Sequence, residues 1–256
     1  MTKPISIGNL ILGEGMPKIC VPLTGTTAEV VQEEARAAVL AGAELVEWRA
    51  DFFEHLYDDE KLRDMLSDLS LILGEVPLLF TIRTKKEGGN LEISSEDYAD
   101  RNLAAAGNGK VSLVDVEVFG EDEKKRNLVK ELQEYKVLVI ASSHDFEKTD
   151  DRETLLKRYK QMDATGADIL KMAVMPHEFD DVAALMQVTN TMAAQWTDKP
   201  LIAMSMGNLG SISHISGENF GSCITFGTVG AASAPGQFPV RELRMMMEAL
   251  HEKNKE

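Results

Sequence analysis

The sequence contains few cysteines and few basic residues, and each shortage excludes a class of protein. Only two of the 256 residues are cysteine, Cys20 and Cys223, which excludes a disulfide scaffold and a cysteine-based zinc site. Lys and Arg number 27 against 42 Asp and Glu, and the formal net charge is −15. So acidic a chain argues against nucleic acid and anionic membranes as partners. We expect a soluble protein of the cytoplasm.

Long apolar runs and linkers are also missing. No stretch reaches the length of about 18 apolar residues that would span a bilayer, and MTKPISIGNL lacks the apolar core of a signal peptide. No low-complexity segment divides the chain before the final EKNKE. Because 44% of the residues are hydrophobic, a sizeable core can form. We therefore expect residues 1–256 to make a single domain.

Short β-type runs alternate with helical stretches along the chain. Eight such runs occur, most of them continuously apolar or β-branched, as strands buried on both faces should be. They cover residues 18–24, 44–50, 77–83, 112–118, 136–143, 167–174, 200–206 and 224–229. Eight strand–helix units in about 250 residues predict an α/β fold of the (β/α)8 TIM barrel type. The alternative is an open doubly wound sheet, but residues 25–27 lack its Gly-rich phosphate turn.

Three segments depart from this alternation. Residues 5–13, within the amino-terminal segment 1–17, predict a short β-hairpin that turns at Gly8-Asn9 and closes the lower mouth of the barrel. Residues 207–222 are so rich in Gly and Ser that we predict no regular helix there. After the eighth run, ASAPGQ at 232–237 predicts a mobile loop that covers the barrel mouth as a lid.

Polar side chains gather toward the carboxyl ends of the predicted strands, where α/β barrels carry their active sites. Glu47, Arg49 and Asp51 alternate through the second run and therefore share one face. The same end of later runs carries Arg83, Glu87, Asp115, Glu117, Ser142, His144 and Lys171. Charges in buried strands are costly unless they are paired or functional. A structural ion-pair network would account for Asp51, Asp115 and Glu117, but not for the convergence of the whole set.

Lys171 lies between apolar neighbours in the sixth run. Burial disfavours the charged form of an amine, and a neutral amine on a rigid strand suits Schiff-base chemistry with a ketone or aldehyde. The alternative is a structural ion pair with Asp115 or Glu117, and position alone leaves both open.

His144 ends the fifth run and can face the same cavity. An imidazole that titrates near neutral pH can serve as a general acid and base, and Glu87 is a candidate to orient its ring. A purely structural histidine is the alternative. No spacing of His, Asp and Glu predicts a metal site.

Seven motifs, in order, resemble those of the type I 3-dehydroquinate dehydratase family. They are EWRAD (47–51), FTIRTKKEGG (80–89), SSHDF (142–146), GADILKMAVMP (166–176), MSMG (204–207), GENFGSCITFG (217–227) and ASAPGQ (232–237). The resemblance implies a (β/α)8 barrel and a homodimer with no metal or organic cofactor. It also implies the dehydration of 3-dehydroquinate to 3-dehydroshikimate, a step of the shikimate pathway to aromatic amino acids.

The same resemblance implies a role for each residue that matches a motif. Lys171 would form an imine with the C3 ketone of the substrate. His144, oriented by Glu87, would remove the C2 proton and help the C1 hydroxyl to depart. Arg83 would bind the substrate, and its ring hydroxyls would be held by Glu47 and Arg49. Ser233 and Gln237 would close over the substrate from the lid. The apolar wall would consist of Met204, Met206 and Phe226, with Asp115 as support beneath the site.

One position departs from the family's motif. Where the family has Ser-Arg-x-x-Gly-Glu, this chain has SHISGE at 213–218. His214 therefore stands at the place of the arginine expected to bind the substrate carboxylate. Arginine offers a permanent charge and a bidentate fork, whereas histidine is shorter and mostly neutral near pH 7. Losing one charge-assisted hydrogen bond costs about 1.5–3 kcal/mol.

We expect a competent chemical centre in which carboxylate binding is weakened. Two alternatives stay open. One is another Schiff-base barrel lyase, such as a class I aldolase, with a phosphate site at GNLGS (207–211) or TVGAAS (228–233). The other is a protein that binds a cyclohexane carboxylate without turning it over.

Overall fold

Strands and helices alternate along the chain. The structure, a computed structural model, describes residues 2–120, 123–230 and 234–255, with the side chains of 123–126 excepted. In these ranges the strands are β1 (Ile5–Ile7), β2 (Leu10–Leu12), β3 (Lys18–Leu23), β4 (Leu45–Arg49), β5 (Leu78–Thr81), β6 (Leu113–Glu117), β7 (Leu138–Asp145), β8 (Ile169–Val174), β9 (Leu201–Ser205), β10 (Ile224–Thr228) and β11 (Phe238–Pro239). The α-helices are α1 (Ala28–Leu40), α2 (Asp59–Leu73), α3 (Ser95–Gly107), α4 (Glu123–Glu134), α5 (Arg152–Asp163), α6 (Phe179–Thr191), α7 (Gly207–Ile215), α8 (Gly217–Phe220) and α9 (Val240–Asn254).

Strands β3 to β10 form a parallel barrel. From β3 to β9 each strand is hydrogen-bonded to the next in chain order, and β10 pairs with β3 so that Phe226 lies opposite Cys20. The circuit closes between β9 and β10, where the amide of Cys223 donates to the Leu201 carbonyl at 2.7 Å. The short β11 pairs with β10. The predicted (β/α)8 barrel is confirmed, and each of the eight predicted runs overlaps one of these strands.

An apolar layer fills the amino-terminal half of the barrel. It consists of inward-facing residues near the strand starts, all buried: Cys20, Leu45, Leu79, Leu113, Ile140, Ile169, Ile202 and Ile224. The hairpin of β1 and β2 turns at Gly8-Asn9 and presses the buried Leu12 onto this layer. Burying a side chain of this size contributes about 1.5–3 kcal/mol. The predicted hairpin therefore closes the lower mouth, and polar residues are left to the upper half.

The outer helices begin at capping side chains and pack an apolar stripe on the strands. Thr27, Asp58, Ser94 and Asp151 accept hydrogen bonds from amides in the first turns of α1, α2, α3 and α5. Such caps contribute about 1 kcal/mol each. The stripe of α2 is typical, with Leu62, Met65, Leu66, Leu69 and Leu73 all buried.

The prediction that residues 207–222 form no regular helix is wrong, because α7 and the short α8 lie there. A Cβ on Gly210 would lie 2.0 Å from the Ser205 carbonyl oxygen, so only glycine lets α7 approach β9 this closely. The hydroxyls of Ser213 and Ser216 donate to the carbonyls of Gly210 and Ile212, both at 2.7 Å. The small residues that lower helix propensity are the ones that seat the helix on the barrel.

Gly210→Ala is expected to lower the free energy of unfolding by about 3 kcal/mol, because α7 would have to move away from β9. Urea denaturation would measure the change. Gly107→Ala in α3 is the control: its Cβ would lie 3.4 Å from the Tyr135 ring, an ordinary contact. The control should be neutral or stabilising by up to about 1 kcal/mol. Equal stability of the two variants would contradict this account of α7.

Candidate active site

A cavity opens at the carboxyl ends of the barrel strands, where the polar residues were predicted to converge. Its lining residues are Glu47, Arg49, Arg83, His144, Phe146, Lys171, Ala173, Met204, Met206, His214, Phe226, Ala234, Pro235 and Gln237. Ten of the thirteen predicted site residues are in this set. Glu87 and Asp115 lie behind it, bonded to His144 and Lys171. Ser233 falls outside the described residues.

Lys171 is buried and held between two carboxylates. Its side chain is 4% exposed, and Nζ lies 3.0 Å from Oδ2 of Asp115 and 3.4 Å from Oε1 of Glu47. The centre of the Phe226 ring is 4.8 Å from Nζ on the cavity side. Glu117, the other carboxylate considered as a partner, binds elsewhere. The two carboxylates and the aromatic ring therefore stabilise a positive charge at Nζ.

Arg83 fills the barrel interior beside Lys171 and shares Asp115 with it. The guanidinium donates to Oδ1 of Asp115 at 2.7 Å, to Oε1 of Glu117 at 3.1 Å and to the Ser142 hydroxyl at 3.2 Å. Burial acts to raise the pKa of Asp115, but the two cations, Arg83 first and then Lys171, hold that pKa well below its ordinary value. Asp115 is therefore an anion at neutral pH and well into the acid range.

The side chain of Glu117, at the end of β6, is hydrogen-bonded to Thr84 in the segment that follows β5. Its Oε1 accepts the Thr84 amide at 2.8 Å and its Oε2 accepts the Thr84 hydroxyl at 2.7 Å. On the far side, the amide of Glu117 donates to the Tyr98 hydroxyl at 3.0 Å. Thr84 and Tyr98 escaped prediction because a threonine in a loop and a tyrosine on a helix carry no signal of their own.

Asp51 anchors the loop that follows β5. It binds the guanidinium of Arg49 through two hydrogen bonds of 2.8 Å and accepts the amides of Arg83 and Asn90, each at 3.1 Å. Asp51, Asp115 and Glu117, for which a structural ion-pair network was the alternative, are thus all paired.

Tight glycine packing in this loop places Glu87 behind His144. A Cβ on Gly89 would lie 1.9 Å from the Arg83 carbonyl oxygen, and one on Gly88 would lie 2.3 Å from the Phe146 ring. Gly88 also has φ +79°, a left-handed conformation that favours glycine. The KKEGG motif therefore lets the chain fold back against β7.

His144 and Glu87 form a buried pair. Nδ1 of His144 lies 2.9 Å from Oε2 of Glu87, and the His144 amide donates to the same oxygen at 3.0 Å. Burial, and next the charge of Glu117, raise the pKa of Glu87 to about 8. Burial, followed by the charges of Arg83 and Lys171, lowers the pKa of His144 well below its ordinary value. At neutral pH Glu87 is therefore protonated and the His144 ring is uncharged, and the carboxyl proton is lost near pH 8.

His214 lies in α7 and lines the cavity opposite this polar group of residues. The residue is 2% exposed, and neither ring nitrogen has a hydrogen-bond partner. Burial lowers its pKa to about 4. The ring is therefore neutral in the empty cavity over the whole physiological range.

The described part of the lid loop rests on the start of α7. The Gly207 amide donates to the Pro235 carbonyl at 2.9 Å, and a Cβ on Gly236 would lie 2.4 Å from the Gly207 carbonyl oxygen. Gln237, Ala234 and Pro235 reach the cavity from this loop.

Sequence reasoning missed four lining residues: Phe146, Ala173, Ala234 and Pro235. Phe146 and Ala173 lie two positions after His144 and Lys171, so the period of a strand was the signal that would have found them. Among the described residues, no group of three or more His, Cys, Asp or Glu side chains is arranged to hold a metal ion. No helix in the described ranges is both long and apolar enough to cross a membrane.

Comparisons with known proteins agree in sequence and structure. A family model described as Type I 3-dehydroquinase matches residues 19–254. A 3-dehydroquinate dehydratase from Listeria innocua is 44% identical over 247 residues, which cover 96% of this chain and 98% of the relative.

Two crystal structures resemble the fold over nearly its full length. One is a type I 3-dehydroquinate dehydratase from Clostridium difficile with covalently modified comenic acid, which has a TM-score of 0.95 at 39% identity and covers 99% of this chain and 100% of its own. The other is a 3-dehydroquinate dehydratase from Geobacillus kaustophilus, with a TM-score of 0.94 at 36% identity and coverage of 98% and 97%.

Glu87→Gln is expected to stabilise the protein at alkaline pH. Folded Glu87 keeps its proton up to about pH 8, whereas an unfolded glutamate loses it near 4.5, so stability is lost as the pH rises through this window. Glutamine cannot ionise and escapes that loss. The Tm difference between variant and wild type should grow by roughly several degrees between about pH 5 and about pH 9, measured by scanning calorimetry. Glu75→Gln, at an exposed position, is the control. A Tm difference that stays constant with pH would contradict the shift.

Proposed function

Because the chain belongs to the type I 3-dehydroquinase family, we propose that Lys171 forms the imine with the substrate and that His144, oriented by Glu87, moves the protons. The reaction is the dehydration of 3-dehydroquinate to 3-dehydroshikimate, a carbon–oxygen lyase step of the shikimate pathway. One observation carries the assignment of residues: the buried Nζ of Lys171 lies 3.0 Å from Asp115 in the cavity that His144 also lines. The Listeria innocua, Clostridium difficile and Geobacillus kaustophilus relatives are each named 3-dehydroquinate dehydratase.

The pair of carboxylates around Lys171 suits the charge of a protonated imine. The ammonium of Lys171 passes one proton through His144 to the carbonyl oxygen, and the resulting amine attacks C3. A second proton follows from nitrogen to that oxygen, which leaves as water, so that nitrogen keeps one hydrogen and becomes double-bonded to C3. This iminium carries the positive charge that the ammonium carried before. Asp115 and Glu47 therefore stabilise the intermediate without rearrangement, which is the advantage of a preorganised electrostatic site. The covalent modification in the Clostridium difficile relative is consistent with such chemistry.

Proton transfer at C2 falls to His144. The iminium draws electrons from the adjacent C2–H bond, and the imidazole takes the proton through Nε2 while Nδ1–H donates to Glu87. Its lowered pKa keeps the ring in the neutral form that a base requires. The same proton then passes to the C1 hydroxyl, which departs as water as the C1–C2 double bond forms. Hydrolysis of the conjugated imine returns Lys171 and releases the product.

The remaining lining residues hold the substrate. Glu47 and Arg49 lie at the end of β4 and would bind the ring hydroxyls, while Arg83 is fixed by its three partners in the floor. Gln237 would close over the substrate together with Ser233. The apolar wall would consist of Met204, Met206 and Phe226.

The substrate carboxylate is assigned to His214. Its two unpartnered ring nitrogens support this assignment, because a ligand group could satisfy at least one of them. Arg49, Arg83 and Lys171, the cations that line the cavity, all bind carboxylates of the protein already.

We also propose that the chain acts as a single barrel domain, as a homodimer and in the cytoplasm. The pairing of β10 with β3 supports the single domain, since it joins both ends of the chain in one barrel. The family resemblance supports the homodimer and the location. Light scattering would give the oligomeric state.

Lys171→Met is expected to lower kcat by roughly a thousandfold or more, because no other group supplies the nucleophile. The assay follows the ultraviolet absorbance of the conjugated enone product. Lys171→Arg, which keeps the charge beside Asp115, should fold and be equally inactive. Lys157→Met, at an exposed position of α5, should keep full activity. Turnover by Lys171→Arg within about tenfold of the wild type would remove the imine from the mechanism.

His214→Arg is expected to lower the KM for 3-dehydroquinate by roughly ten- to a hundredfold, because a charge-assisted hydrogen bond to the carboxylate is added. Steady-state kinetics on both proteins would measure it. His177→Arg, at an exposed position, is the control for the added charge. An unchanged or raised KM would take His214 out of the carboxylate site.

A further inference from the structure

His214 presents unsatisfied hydrogen-bonding atoms in the cavity wall. Among the described residues, the buried side-chain nitrogen and oxygen atoms without a partner include both ring nitrogens of His214. None of the other atoms of this kind in that part of the chain belongs to a residue lining the cavity. A buried donor or acceptor without a partner costs about 1–3 kcal/mol, which a ligand recovers when it supplies one. His214 is therefore a point at which this cavity selects its ligand.

Within the part of the chain that the structure describes, no charged side chain binds the His214 ring. The other residues of α7, and all residues of β9 and β10, are non-titratable. The neighbouring helices keep their charged side chains exposed or half-buried: Asp180 and Asp181 of α6, and Arg241, Glu242, Arg244, Glu248, His251, Glu252 and Lys253 of α9. Across the cavity, the titratable groups form pairs of their own: Lys171 with Glu47 and Asp115, Arg83 with Asp115 and Glu117, Arg49 with Asp51, and His144 with Glu87.

We propose that His214 makes this cavity accept an uncharged carboxamide almost as well as a carboxylate on the same ring at neutral and alkaline pH. The inference rests on the proposed function, which places the ring carboxylate at His214. A neutral imidazole offers one N–H donor and one acceptor nitrogen, and a carboxamide offers both an acceptor oxygen and a donor NH2. A carboxylate offers acceptors only, and its burial without a cation is costly. Hydrogen bonding rather than charge therefore governs recognition at this point.

At low pH we expect the cavity to prefer the carboxylate over the carboxamide again. A carboxylate beside the ring favours the charged imidazolium, so anion binding brings a proton to His214 as the pH falls. A carboxamide carries no charge and has no such effect. The ratio of the two affinities should therefore change with pH in the direction that favours the carboxylate in acid.

Quinate and its carboxamide test this proposal. In both a hydroxyl replaces the C3 ketone, so neither can form an imine or be turned over. Calorimetry would give both Kd values between about pH 5.5 and about pH 8.5. His144 and Glu87 titrate in the wild type and in His214→Gln alike, so the pH dependence of the ratio of Kd for the carboxamide to Kd for quinate in this variant gives their contribution. We expect a ratio within about threefold of one at pH 8, which rises to about tenfold at pH 5.5.

Two variants serve as matched controls. His214→Arg should show a ratio of roughly ten- to a hundredfold at every pH, because the guanidinium keeps its charge. His214→Gln, which has a donor and an acceptor but cannot ionise, should show a ratio near one at every pH.

A wild-type ratio above about thirtyfold at pH 8 would overturn the proposal, as would a ratio that His214→Arg leaves unchanged. Failure of both ligands to bind, in a protein that turns over 3-dehydroquinate, would also overturn it while the proposed function stands. Loss of the proposed function would appear separately, as absence of Lys171-dependent turnover.

Discussion

The carboxylate of Asp115 is the interaction on which the site depends, because it is shared by both buried cations of the barrel interior. It accepts from Arg83 at 2.7 Å and from Lys171 at 3.0 Å. Removal of one partner from such a network leaves an uncompensated buried charge and is strongly destabilising. Asp115 fixes where Arg83 ends and hence where Glu117 and Ser142 can bind it. It also fixes Nζ at the floor of the cavity.

This arrangement divides the site into three parts. The floor holds Arg83 and Lys171 with their carboxylates, His144 and Glu87 form an uncharged pair for proton transfer, and the uncharged His214 faces the place proposed for the substrate carboxylate. The charges of Arg83 and Lys171 are balanced by carboxylates, and burial together with these cations keeps a charge off His144. Glu87 holds a proton because it is buried and lies near the charge of Glu117. His214 is neutral through burial alone. The reaction needs carboxylates that stabilise a cation at Nζ and a neutral base beside it, and the empty site already has both.

The sequence predicts most of this fold and much of the site because both follow from the period of strands. Apolar runs located the eight strands, and their converging carboxyl ends placed Lys171 and His144 toward one cavity. Which carboxylate pairs with Lys171 was not predictable, because it depends on the register of β6, β7 and β8 and on how far each side chain reaches across the barrel. Helix α7 was missed because Gly210 is favourable only against β9. The burial of α7 also keeps His214 uncharged. The role of Ser233 stays a prediction.

The most direct test of the central claim is borohydride reduction of the protein mixed with 3-dehydroquinate, followed by peptide mass spectrometry. The account predicts a reduced adduct on Lys171 in the wild type. It predicts none in Lys171→Arg, which keeps the charge beside Asp115 but not the nucleophile. An adduct on another lysine, or no adduct at saturating substrate with the protein folded, would contradict the claim that the cation position beside Asp115 exists to hold an iminium.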